Sequence, residues 1–281
     1  MTLALGLGAA FMWAACDLSS TRATRQIGAE LTMLLVLLLG FVPAIAVMVA
    51  WGGLPTDAHQ RLALLVAIGA GVLYYAGQVS LLKGVQFGNL AVIGPVASLE
   101  GGVATGVAFG LGERIGGVAI AGVVVAILGA IVTAREPGGG SARGVVWGIA
   151  SAIGFGLASV LWAHTDEVGA SGAIGLTKVG GLLLMALVIS GSVTRRPRSP
   201  RLRSHRLFGM VSAAAVLELG AVAAAIASLA AGPIGVASVC QSQYGTAGAL
   251  LGLAVLRERL SWSQLGGVGL VGIGVALMAL G

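Results

Sequence analysis

Gly112-Glu113-Arg114-Ile115 stands between two apolar segments, and 145 residues later Arg257-Glu258-Arg259-Leu260 stands between two more. A charged dipeptide on the same turn of two otherwise apolar stretches marks a duplicated chain. In a membrane protein a duplicated unit points to a pathway along the line where the copies meet. Composition puts both copies in the bilayer. Of the 281 residues, 57% are hydrophobic and only 9% are charged, with a mean hydropathy of +1.01; an ordinary soluble domain carries about 25% charged residues.

Working outward from the two turns, spans of about 20 residues fall at 2–20, 28–51, 61–82, 88–111, 115–134, 143–163, 171–192, 207–230, 232–256 and 263–280. The breaks carry turn chemistry: Gly52-Gly53-Leu54-Pro55, Glu136-Pro137-Gly138-Gly139-Gly140, the run Thr194 to Arg206, and Gly232-Pro233. The sequence therefore predicts an all-α membrane protein of ten helices in two five-helix units, 2–134 and 145–280. The first apolar segment has no basic region before it and runs straight into further spans, so it reads as a retained helix.

Cys16 and Cys240 both fall inside predicted helices, which argues for apolar filler over a disulfide scaffold or a thiolate metal site. The net charge of +6 comes from bases between helices, and no basic face with interleaved aromatics suggests nucleic acid. Odd-numbered connections hold Arg22, Arg25, Lys83, Arg135, Arg143, Arg195, Arg196, Arg198, Arg201, Arg203, Arg206, Arg257 and Arg259, whereas even-numbered ones hold only Arg61 and Arg114. By the positive-inside rule the odd connections are cytoplasmic and both termini are outside.

Five helices per unit is an odd number, so two such units insert in opposite orientations and form an inverted pair with a cavity near the midplane. At the offset of 145, Glu113, Arg114, Gly122 and Gly129 coincide with Glu258, Arg259, Gly267 and Gly274. At a second offset of 142, in the opening helix of each unit, Gly6 meets Gly148 and Trp13 meets Phe155.

With ten helices, a Glu-Arg turn between the fourth and fifth helix of each unit and glycine-rich fifth helices, the chain resembles the drug/metabolite transporter superfamily, specifically tandem EamA-type transporters, over nearly its whole length. The resemblance implies a bacterial inner-membrane carrier, commonly an exporter of amino acids, metabolites or drugs. Two features depart from it. Many relatives have a proline thirteen residues before the turn glutamate, where this chain has Glu100 and Gly245. Relatives are also usually drawn with cytoplasmic termini, against the charge distribution here.

The Glu-Arg turns themselves read as structural in preference to gating salt bridges: a helix-end acid accepts backbone amides of the next helix, and the adjacent base anchors at the headgroups. Gly102, Gly106 and Gly110 in the fourth helix, and Gly148, Ala152 and Gly156 in the sixth, recur every four residues and read as close-packing faces.

Charges inside the membrane point to function, since each costs about 2.5–3.5 kcal/mol at a helix centre and must face protein or water. Glu100 lies near the middle of the fourth helix, Glu218 near the middle of the eighth and Lys178 about eight residues into the seventh. Asp17, near the predicted end of the first helix, reads as solvated at the interface. A deep carboxyl suits a carrier that exchanges a proton for its solute; the rival role is a structural ion pair between Lys178 and one of the two acids. Around them Tyr74 and Gln78 share a face of the third helix, Gln241 and Tyr244 share a face of the ninth, and Trp13 could stack on an organic solute. Gly94-Pro95 predicts a kink just before Glu100. His59, His164 and His205 are scattered in or beside loops, and no phosphate-binding or nucleophile motif appears. The sequence thus predicts no enzyme, cofactor or metal. It predicts a proton-coupled secondary carrier of a small organic metabolite or drug, with Glu100, Lys178, Glu218, Trp13, Tyr74, Gln78, Gln241 and Tyr244 on its pathway, partnered by the bilayer and its solute. A lipid-modifying membrane enzyme and a non-transporting scaffold are the alternatives.

Overall fold

In the computed structural model, residues 1–52, 58–114, 116–134, 141–192 and 205–280 are described. They form an all-helical chain: α1 (Thr2–Ile27), α2 (Ala29–Val47, continued by a π turn Met48–Gly52), α3 (Ala58–Phe87), α4 (Leu90–Ala97), α5 (Glu100–Gly110), α6 (Gly117–Ala134), α7 (Ala142–Trp162), a 3₁₀ turn Asp166–Val168, α8 (Gly169–Ser192), α9 (His205–Ala230), α10 (Ile234–Gln241), α11 (Tyr244–Val255) and α12 (Trp262–Leu280). Seven helical segments are long and apolar enough to cross a membrane, α4 and α5 counting together as one; α6 and α12 are shorter apolar helices. The predicted turns at 53–55 and 136–140 and the 194–204 part of the run to Arg206, with Arg195, Arg196, Arg198, Arg201 and Arg203, lie outside the described residues.

Two predicted spans are broken. Pro95 has no N–H to return to residue 91, and the helix stops at Ser98, whose hydroxyl donates to the carbonyls of Gly94 and Pro95 at 3.2 and 3.1 Å. The chain restarts as α5 at Glu100. The partner break, at Ser242-Gln243, has no proline inside it; there the Ser242 hydroxyl donates to the Val239 carbonyl at 2.9 Å. The four half-helices cross in pairs. Gly245 of α11 lies against Gly94 of α4, where a Cβ would run into the Gly94 carbonyl, and Gly101 of α5 lies against Val239 and Ser242 of α10.

Both Glu-Arg turns need left-handed backbone just before the glutamate: Gly112 has φ 101° and Arg257 φ 54°. In the first, the Glu113 N–H bonds the Ala108 carbonyl and the Gly112 N–H the Phe109 carbonyl, a Schellman ending. The close contact of α6 with α12 is also reciprocal. Gly122 lies against Gly274, and Gly129 against Gly267 and Val271, so each glycine of one helix faces the counterpart of the other glycine.

The fourth-helix glycine face is corrected by this arrangement. A Cβ on Gly106 or Gly110 would touch nothing within 4 Å, and one on Gly102 only Val123. The sixth-helix face does pack: Gly148 lies on Val96, and Gly156 on Val103 and the Glu100 carbonyl.

Contacts between connections divide the bundle into two faces. Arg25 pairs with Glu258 at 2.6 Å, Lys83 pairs with Glu30 at 3.1 Å, Lys83 lies over the Trp147 ring, and Arg143 lies over the Phe87 ring. These residues come from the first, third, fifth and ninth connections, so Arg25, Lys83 and Arg143 gather on one face. On the opposite face, the Ser228 hydroxyl donates to the Thr2 carbonyl.

Candidate functional site

The site is built from matching positions of the two halves. On α1, Trp13 and Asp17 are one turn apart; on α7, 142 residues further, so are Phe155 and Ser159. Glu100 opens α5 and Tyr244 opens α11, each directly after its helix break. With Tyr74 and Gln78 of α3 and Trp162 of α7, these residues line one central cavity. It is so constricted that it has room for about one water molecule.

Its walls are an aromatic cage centred on Tyr74, whose ring lies 6.1 Å from Trp13, 5.6 Å from Phe155 and 5.1 Å from Trp162. Tyr244 closes the ring against Trp13 at 6.2 Å and Phe155 at 5.9 Å. The Tyr74 hydroxyl accepts from Trp13 Nε1 at 2.9 Å and Gln78 Nε2 at 3.1 Å, which fixes both donors. Into this cage point two carboxyls that make no ion pair among the described residues. Asp17 is 2% exposed and Glu100 3%. Asp17 Oδ1 and the Tyr244 hydroxyl are buried with no hydrogen-bond partner among the described residues, an exception to the rule that buried polar atoms are satisfied.

Lys178 and Glu218 are elsewhere. They form a fully buried ion pair between α8 and α9. The Tyr75 hydroxyl sits in the same knot, accepting from Lys178 and donating to Glu218, both at 2.9 Å. Gly40 of α2 passes directly over the ammonium, where a Cβ would be 3.0 Å from Nζ, and seals the pair. Gln241 also lies apart from the cavity lining, with its Nε2 donating to the Ala225 carbonyl at 3.2 Å.

Asp17 corrects the sequence reading. α1 runs seven residues further than predicted, to Ile27, so Asp17 sits well inside the helix and is buried, where an interfacial, solvated acid was expected. Phe155, Ser159 and Trp162 were not among the expected lining residues. The offset that joined Trp13 to Phe155 also joins Asp17 to Ser159, and was the signal for that pair; Trp162 had none.

The repeated turns act across the halves. Glu113 accepts from the N–H groups of Ile234 and Gly235, at 2.9 and 3.3 Å, and so caps α10; Glu258 accepts from Leu90 and Ala91, at 3.2 and 2.9 Å, and caps α4. The sequence reading had each acid capping the helix that follows it; instead each reaches a half-helix of the opposite unit. Glu113→Ala and Glu258→Ala are each expected to lower stability by about 1–2 kcal/mol. Glu258→Ala should be the larger loss, because Arg25 loses its partner as well. Thermal unfolding in detergent measures both, and an unchanged midpoint for either would remove the capping role.

Comparison with known proteins follows the same lines. Residues 1–135 match the EamA-like transporter family, which belongs to the drug/metabolite transporter superfamily. The first half of the chain is an EamA-like unit. No curated protein matches the chain. A solved structure described only as the crystal structure of a protein superposes with a TM-score of 0.71 at 19% identity, covering 99% of this chain and 96% of that one. That likeness speaks for the fold. Members of the EamA-like family are transporters rather than enzymes; the match over residues 1–135, together with the long apolar helices, supports a multi-pass membrane transporter of this type.

Proposed function

We propose that the protein is a proton-coupled secondary carrier, ten spans in two inverted five-helix units, that exchanges protons for a small organic solute by alternating access to the aromatic cage. The observation that carries this is the pair of carboxyls, Asp17 and Glu100, buried in the cage without a basic partner among the described residues. An unpaired charge at this depth is expensive, so the two acids require protons or a positively charged ligand. Aromatic faces and carboxylates together fit an ammonium or another organic cation better than an anion. Inversion is supported by the reciprocal pattern of the contacts, Glu113 on α10 with Glu258 on α4, and Gly122 on Gly274 with Gly129 on Gly267. A two-fold relation between equivalent elements generates contacts of that kind.

The cavity is constricted and its lining residues are buried, as an occluded state requires. With the basic face in the cytoplasm of a bacterial inner membrane, a proton gradient directed into the cell would drive the exchange toward export. The test is reconstitution: addition of a transported organic amine to proteoliposomes loaded with a pH dye should move protons opposite to the amine. A panel of organic cations, zwitterions and anions that moves no protons would sink the coupling.

A further inference from the structure

A second, open groove of about 990 Å³ runs from the face that carries the termini down to the level of the cage. α3 contributes Leu62, Val66 and Leu73 to it, α5 and the turn after it contribute Val107 and Leu111, and α7 contributes Leu157, Val160 and Leu161. Its inner end and the cage are back to back. Leu73 lines the groove while its neighbour Tyr74 lines the cage; Val160 faces the groove and Ser159 the cage; Leu161 faces the groove and Trp162 the cage. One layer of side chains separates them.

The mouth of the groove is acidic. Asp166 and Glu167 are exposed, make no ion pair with a described residue and line its rim beside His164, whose Nδ1 bonds the Val160 carbonyl. The two bases of this face, Arg61 and Arg114, are not among the described lining residues. An apolar trough with an acidic lip, at the edge of a helix bundle in lipid, is complementary to one kind of molecule. It fits an apolar body lying among acyl chains with a cationic head at the headgroup level.

We infer that this groove is the access route to the cage for amphipathic organic cations, which reach it sideways from the lipid leaflet, with Leu73, Leu157 and Leu161 as the closed door. The inference rests on the cation reading of the cage and adds to it the route and the amphipathic class.

The experiment uses the full chain in lipid nanodiscs with two probes that share a trimethylammonium head, dodecyltrimethylammonium and choline. Because Cys16 and Cys240 are buried, a cysteine placed at Leu111 on the groove wall can be labelled alone with a bulky maleimide. Ile153→Cys, exposed on the other side of α7, carries the same label as a control. Labelling Leu111→Cys should slow association of dodecyltrimethylammonium about tenfold, and labelling Ile153→Cys should leave it within about twofold; both labelled proteins should keep the unfolding temperature of the parent. Dodecyltrimethylammonium binding that the label at Leu111 does not slow would overturn the groove and leave the cage reading standing. Failure of the unlabelled protein to bind either probe would remove the cage reading and the groove with it.

Discussion

Lys178→Met is expected to destabilise the protein by about 3–5 kcal/mol, because it leaves the Glu218 carboxylate buried without its counter-charge. The same size of loss is expected for Glu218→Gln, which strands the ammonium. Removing both, as Lys178→Met with Glu218→Leu, should recover most of the stability, since a well-packed apolar pair replaces an ion pair whose desolvation offsets its attraction. Unfolding in detergent reads all three variants. If the double variant is as unstable as either single, the pair does more than satisfy its own charges. If the double variant is stable but no longer couples protons to solute, the pair belongs to the pathway after all, and the separation of Lys178 and Glu218 from the cage is misleading.

Helix placement was largely legible because in a bilayer it follows from apolar length and turn residues alone. The predicted spans differ from the observed helices by a few residues nearly everywhere. The exception, α1, shows what that logic misses. Its last turns carry Ser20, Thr21, Arg22, Thr24 and Arg25, which look like a connection, but Ser20, Thr21 and Thr24 are buried against neighbouring helices and the helix continues. Ending the helix early made Asp17 look shallow, and that one boundary cost the sequence reading a cage carboxyl. Gln241 shows a different limit. Three residues from Tyr244, it should share a face with it on a continuous helix, but the break at Ser242-Gln243 turns the two side chains apart, and no proline inside the segment announces that break. Pairing was the third limit: Lys178 had two deep acids to choose from, and only the packing of α8 on α9, with Tyr75 between, decides for Glu218. Where the halves match, by contrast, the sequence held more than was drawn from it, since Asp17 and Ser159 lie at the same offset as Trp13 and Phe155.

Asp17→Asn and Glu100→Gln are expected to weaken binding of a transported organic cation by about 30-fold or more each, the consequence of losing roughly 2 kcal/mol of contact with a buried charge. Both keep the shape of the side chain, and neither acid has an ion-pair partner to strand among the described residues, so unfolding temperatures should hold or rise. That separates them from the Lys178 and Glu218 variants, in which stability falls first. The pH dependence carries more information than the affinity. In the parent, a cation and protons compete for the same carboxyls, so affinity should rise with pH until both acids are free of protons. With one acid neutralised, fewer protons leave per cation bound, and the slope of affinity against pH should flatten. In proteoliposomes the same variants should still pass solute down its own gradient slowly but should no longer drive it uphill with a pH gradient. The decisive comparison is between the two sites: Asp17 comes from α1 and Glu100 from the start of α5, directly after the helix break. Should Asp17→Asn leave both affinity and its pH slope unchanged, the cage works with Glu100 alone and Asp17 is a buried acid held neutral. Should both variants retain concentrative transport, protons are coupled somewhere other than this cavity, and the aromatic cage loses its claim to be the substrate site.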